Sequence, residues 1–180
     1  MIFALVILSV WWSGCRAPTV VTQEAPMGIT VTSTAFSPGQ PIPVKFTGQG
    51  NDISPDLAWS GAPASAKSYV LICDDPDAPG GTWVHWTLWN IPPTATGLPE
   101  GIPSDAVLPD GSIQGVTSFG RRGYGGPMPP KGNAHHYYFR VYALDTMLSL
   151  PASASRAQLD EAMRGHLLSQ GQLMGTYQRK

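Results

Sequence analysis

The chain carries little charge and almost no cysteine. Asp, Glu, Lys and Arg make up 13% of its 180 residues, and the formal net charge is −1. That is about half the usual charged share. No long basic run is present, so a nucleic-acid partner has no electrostatic footprint here. The two cysteines, Cys15 and Cys73, form no CxxC pair and no Cys/His zinc spacing, so no disulfide framework is implied. Gly-x-Ser-x-Gly, a P-loop and the helical His-Glu-x-x-His spacing are all absent, and neither cysteine has a histidine beside it in sequence. There is no internal repeat and no low-complexity block.

What the chain does have is apolar residues and turns. Hydrophobic residues are 42% of the sequence, enough for one domain with a sizeable core. Twenty glycines and eighteen prolines make up about a fifth of the chain, which suits many turns between short strands. Strands are expected at Ile29 to Ala35, Ile42 to Thr47, Tyr69 to Cys73, Val84 to Ile91 and Tyr137 to Leu144, with a weaker one near Ile113 to Phe119 and a last one around Leu173 to Gln178. Signals such as Ser37-Pro38-Gly39 separate them, so the chain reads as a mainly β, antiparallel domain. One helix is expected after Ser155, which can form a capping box with Gln158. Leu159, Ala162, Met163, His166 and Leu167 continue it at helical spacing, with Gly171 as its C-terminal cap. His166 on that face reads as a satisfied core residue, not a ligand. Cys73, in an apolar strand, reads as a small buried hydrophobe.

Met1 to Trp12 is almost wholly apolar, yet short of the roughly 20 residues that span a bilayer. With Ser13-Gly14-Cys15 it resembles a bacterial lipoprotein signal, in which the cysteine becomes the acylated N-terminus. It departs from that pattern in lacking Lys or Arg before the apolar run and in carrying Trp12 where leucine is usual. The competing reading is a buried N-terminal strand. The organisation expected is a signal over residues 1–15, a tether over 16–27 and a single domain over 28–180. The protein would then be exported, anchored to a membrane through lipidated Cys15 or else periplasmic or secreted.

Two stretches concentrate chemistry. In Cys73 to Ile91 (CDDPDAPGGTWVHWTLWNI) an apolar strand runs into carboxylates, turns, and returns with one histidine between tryptophans. Period-two alternation puts Asp75 on the face of Leu71 and Cys73, and His85 on the face of Thr87, Trp89 and Ile91. In Gly123 to Asp145 (GYGGPMPPKGNAHHYYFRVYALD) a Gly/Pro loop ends in two histidines. Tyr137, Phe139 and Val141 then share one face, Tyr138, Arg140 and Tyr142 the other, and His135 has the parity of Tyr137. Asp74 reads as a solvated strand end, Asp77 as a turn or capping carboxylate, His136 as structural or surface, and Arg121 and Arg122 as an exposed charged loop.

DPDAP, WxHWxxxNIP and GYGGPxPPxGxxHxYxFxxYALD, in this order, resemble the phosphatidylethanolamine-binding protein family, in particular its bacterial, Raf kinase inhibitor-like branch. Ile53 to Gly61 (ISPDLAWSG) and Gly175-Thr176-Tyr177 resemble it too, so the likeness spans about residues 28 to 178. The resemblance implies a large antiparallel sheet packed on a smaller one, with a few peripheral helices. It also implies an anion pocket of Asp75, His85, His135 and Tyr137, walled by Trp83, Pro79, Pro129 and Pro130. Imidazole N–H groups and a tyrosine hydroxyl donate well to phosphate or carboxylate oxygens. Asp75 would orient one of the histidines or be protonated itself. Two departures stand out: Thr117-Ser118-Phe119 replaces an Asn-Asp usual before Gly120, and Met128 stands where relatives often have cysteine.

The function expected is a non-enzymatic binding protein for small anions, phosphate esters or phospholipid head groups, with no cofactor and with a kinase or protease as a protein partner. The alternatives are a metal-dependent hydrolase using His85, His135 and Asp75, and a structural lipoprotein domain with a vestigial pocket. The signal reading has a direct consequence: Cys15→Ser should release the protein from the membrane fraction, since stable anchoring needs more than one acyl chain. An unmodified Cys15 in mass spectra of the mature chain would contradict it.

Overall fold

In the computed structural model the described residues are 26–180. The apolar run, Cys15 and most of the expected tether therefore lie outside them. The elements are β1 (Thr30–Thr32), β2 (Leu57–Ser60), β3 (Ser68–Asp75), β4 (Trp83–Ile91), β5 (Gly97–Leu98), β6 (Ile113–Gln114), β7 (His135–Leu144), α1 (Arg156–Met163) and β8 (Leu167–Tyr177). They build a five-stranded sheet in the order β6-β4-β3-β7-β8 and a three-stranded sheet in the order β1-β2-β5. Every strand pairing is antiparallel, as expected for this mainly β chain.

The main core lies between the sheets. Val31, Leu57, Trp59 and Leu98 of the small sheet meet Leu71, Cys73, Trp86, Leu88, Phe139, Val141 and Leu173 of the large one. On the outer face Val70, Ile72, Trp89 and Leu144 are covered by Leu148, Ala154, Leu159 and Met163. The large sheet is thus apolar on both sides at its centre, which is why β3 is buried at all eight positions.

Alternation fails in β4, and the failure matters. Cys73 pairs with Trp86, but the next residue, Asp74, pairs with Val84, so His85 is an extra residue in a β-bulge. A second irregularity lies between Leu71↔Leu88 and Tyr69↔Ile91. There Asn90 takes a left-handed φ of 58° and exchanges hydrogen bonds with the Leu148 main chain at 2.9 and 2.8 Å. The bulges put His85 on the inner face with Trp86, and Ile91 on the inner face with Leu88. Thr87 and Trp89 point outward, so the face predicted for His85 is corrected.

Other expectations change for local reasons. Ile42 to Thr47 is not a strand: Pro43 leads into a 3-10 turn at Val44–Phe46, closed by Thr47 Oγ1 on Val44 O at 2.9 Å. Only Ile113–Gln114 of the weak strand forms. Beyond it, Ser118 clasps the start of β4, its N–H donating to Val84 O and its Oγ accepting from Val84 N, at 3.0 and 2.9 Å. The α1 capping box at Ser155 and Gln158 is present, but the helix ends at Met163, followed by Gly165 at φ +80°. His166 and Leu167 leave the helix. His166 is half-exposed and bonds Asp145 at 2.8 Å, so it is not a core residue.

Asp74 is not solvated either. It is buried under the outer face, where Arg140 donates to Oδ1 and Arg156 to Oδ2. The end of the expected tether runs beside β8, with Gln170 N–H donating to Pro26 O at 3.1 Å.

Gly171 caps nothing; it lies within β8 on the inner face, where the Ile29 main chain crosses. A Cβ there would stand 1.9 Å from Ile29 O. Gly171→Ala should therefore lower stability by about 2–4 kcal/mol, the range of severe overpacking. Gly80→Ala, in open space, should stay within about 0.5 kcal/mol of the parent. Thermal denaturation of both variants checks the pair, and equal midpoints would contradict it.

Candidate functional site

Antiparallel pairing brings the two chemical stretches to one sheet edge. β3 ends where β4 and β7 begin, so Asp75 at its end meets Trp83 and His85 on one side and His135 and Tyr137 on the other. The loops after β3 and before β7 then close over that edge. The result is a cavity of about 190 Å³. Asp75, His85, His135 and Tyr137 line it, as do Trp83, Pro79, Pro129 and Pro130. Ala78, Phe119 and Met128 complete the lining and were not expected there. Phe119 matters most, because its ring packs edge-on against both His85 (5.3 Å) and Trp83 (5.5 Å). Reading Ile113 to Phe119 as strand hid it; the Ser118 clasp is what turns the ring inward.

His85 is 3% exposed and wedged between Phe119 and Tyr137, the latter at 5.1 Å. Its Nδ1 lies 2.5 Å from Gly125 O. A carbonyl oxygen only accepts, so Nδ1 carries the proton and Nε2 is the remaining polar atom. Burial pushes the imidazole below its ordinary pKa, against the Gly125 bond and the nearby charges of Asp75, Asp74 and Asp52, which favour the charged form.

Asp75 is held from two sides. Oδ2 accepts from His135 Nδ1 at 2.8 Å, and Oδ1 accepts from Asp77 N at 2.8 Å in an Asx-type turn. The carboxylate therefore orients His135, not His85. Tyr137 is 1% exposed, and its hydroxyl lies toward the Asp75 carboxylate without completing a hydrogen bond of good geometry. Burial, then the Asp75 charge, raises its pKa far above the ordinary range. Four buried side-chain polar atoms lack a partner among the described residues, and only the Tyr137 hydroxyl belongs to a cavity-lining residue.

The neighbouring charges buttress the walls. Asp77 accepts from His136 N at 2.8 Å and His136 Nδ1 at 2.6 Å, tying the DPDAP loop to β7. That bond holds the Asp77 carboxyl below its usual range. Asp52, at a left-handed φ of 56°, accepts from Gly126 N at 2.6 Å and from Arg121 at 3.0 Å. Arg121 also donates to Tyr124 O at 3.0 Å and lies over the Phe119 ring. Asp52 and Arg121 thus bracket Gly125, whose carbonyl fixes His85. Arg122 bonds Ala152 O and is turned to the loop before α1. Cys73 is buried, with its thiol pKa raised first by desolvation. Among the described residues no three His, Cys, Asp or Glu side chains are placed to hold a metal ion.

Comparison with known proteins gives the same architecture. A family model described as phosphatidylethanolamine-binding protein matches residues 32–178. The chain is 52% identical over 145 residues to a UPF0098 protein of Methanothermobacter thermautotrophicus, covering 81% of this chain and 95% of that one. Its fold is similar to the crystal structure of a phosphatidylethanolamine-binding protein homologue from Chlamydia trachomatis, with TM-score 0.78, 42% identity, and 85% and 99% of the two chains covered. It is also similar to that of YbcL from E. coli, described as a member of the mammalian family, with TM-score 0.80, 36% identity and the same coverage. The three motifs that bound the cavity lie within the matched span, and the chain belongs to the phosphatidylethanolamine-binding protein family.

Proposed function

We propose that the protein is a non-enzymatic binding protein whose cavity takes a small anion: phosphate, or the phosphate of an ester or phospholipid head group. The observation that carries this reading is the Tyr137 hydroxyl. A buried donor without a partner costs about 1–3 kcal/mol. Here it sits beside a cavity that also holds two imidazoles. A ligand oxygen would satisfy the hydroxyl, and the Gly125 and Asp75 bonds at Nδ1 leave the Nε2 atoms of His85 and His135 for the same ligand.

Size supports a head group over a whole lipid. About 190 Å³ is below the range of roughly 300–1,000 Å³ usual for drug-sized ligands. It suits a phosphoryl group with a short substituent, while acyl chains would stay outside against Trp83, Phe119 and Met128, which are 39%, 39% and 50% exposed. No serine, threonine, cysteine or lysine lines the cavity, and Cys73 is buried with a raised pKa that keeps it a thiol. The hydrolase alternative finds no support, because among the described residues no three His, Cys, Asp or Glu side chains are placed to hold a metal ion. A kinase or protease partner and an exported, Cys15-anchored location belong to the same proposal.

Two measurements test it. Tyr137→Phe removes a buried hydroxyl that completes no hydrogen bond of good geometry, so the thermal midpoint should hold or rise, while phosphate affinity should fall about tenfold, the worth of one hydrogen bond to a charged oxygen. Unchanged affinity would contradict the reading. The second is pH. His85 must gain a proton before Nε2 can donate to an anion of fixed charge, and the bound anion raises its pKa. Sulfate binding should therefore be strong below the free-protein pKa, which lies under the ordinary value near 6.5. It should fade as pH rises through the raised, bound-state value. Calorimetric titration of chelated protein checks this; affinity that grows with pH, or that returns only with added zinc, would contradict the reading.

A further inference from the structure

We infer that the cavity selects a phosphoryl group that brings its own proton over a fully deprotonated anion of the same shape, with His85 as the residue that discriminates. The inference rests on the anion-binding proposal and narrows it to free phosphate or a protonated monoester, since the phosphodiester of a phospholipid head group carries no such proton. The geometry begins at Gly125. Its carbonyl takes the Nδ1 proton, so the neutral ring can offer only the Nε2 lone pair. Asp52 and Arg121 hold that peptide from both flanks, through Gly126 N and Tyr124 O. Gly125 N–H also donates to His85 O at 3.0 Å. The carbonyl therefore cannot swing away without breaking bonds on each side, and the tautomer is fixed by the fold.

The groups that face His85 are few. From β3 comes Asp75, already bonded to His135; from β7 come His135 and Tyr137; from the loop before β2 comes Asp52, paired with Arg121. Asp74 adds charge from behind the sheet, where two arginines neutralise it. Desolvation outweighs these charges and favours the neutral ring. The floor then offers the Tyr137 hydroxyl as a donor and His85 Nε2 as an acceptor, beside His135, whose Nδ1 is held by Asp75. A monoanionic phosphate presents P–O–H to the acceptor and P–O to the donor. Sulfate near neutral pH has no proton to give, so its oxygens meet the Nε2 lone pair, or His85 must first be protonated from solvent.

The test compares inorganic phosphate with sulfate on the full chain by calorimetry from about pH 5 to 7, around the ordinary histidine pKa. Near pH 7 phosphate should bind about tenfold or more tightly than sulfate, the worth of one hydrogen bond exchanged for an unpaired acceptor. The preference should narrow as pH falls and His85 becomes a donor to either anion. A 15N spectrum of the ligand-free protein should show His85 protonated at Nδ1 and bare at Nε2. Equal affinities near pH 7, or a free-protein His85 bare at Nδ1, would overturn the inference while leaving an anion site in place. Binding of neither anion at any pH would overturn the anion reading and the preference together.

Discussion

One extra residue in β4 decides what the rest of the site can be. If the Cys73↔Trp86 register continued unbroken, His85 would point to the outer face with Thr87, away from Asp75 and Tyr137. The bulge turns it inward beside Trp86 instead. A bulge costs a ladder hydrogen bond unless other groups satisfy the main chain. Here the loop before β7 supplies the replacement, because Gly125 N–H donates to His85 O while Gly125 O receives the His85 ring. The loop that closes the cavity and the bulge that aims the histidine are therefore one hydrogen-bonded unit.

That unit explains why the surrounding charges are arranged as they are. Asp52 and Arg121 are both half-exposed, and such a pair adds little stability of its own. Their value is positional: they hold the peptides on either side of Gly125 and the Phe119 ring that covers His85. Asp77 and His136 do the same for the opposite wall, fastening the loop that carries Pro79 to β7. Behind the sheet, Asp74 with Arg140 and Arg156 ties β3, β7 and α1 together, so the two adjacent aspartates serve opposite faces. The floor is thus a rigid edge of three strands, and the walls are loops pinned by polar contacts.

Much of this was legible in the sequence, and the exceptions share causes. Strict alternation placed His135 and Tyr137 on one face because β7 pairs with β8 without a break from His135 to Ala143. Asp75 followed from the same rule on β3. His85 joins Asp75 in the pocket that the family resemblance implies, but periodicity gives it the wrong face, since a bulge depends on the partner strand and leaves no mark in local periodicity. Asp74 was misread because the arginines that bury it are 66 and 82 residues away. The helix was drawn too long because Leu167 kept the helical spacing, while Gly165 held the terminating signal. Gly171, read as a cap, is small because Ile29 crosses it, a contact that local reading does not reveal.

The account's central claim is that a ligand enters at the β4-β3-β7 edge and reaches Tyr137, His85 and His135. Amide and side-chain NMR shifts recorded during a phosphate titration test it most directly. The account predicts saturable shifts centred on His85, Gly125, His135 and Tyr137, with Trp83 and Phe119 following and the Asp145–His166 pair unmoved. Shifts centred on the outer face at Arg140, Tyr142 and Gln172, with the His85 and Tyr137 signals unchanged, would contradict it.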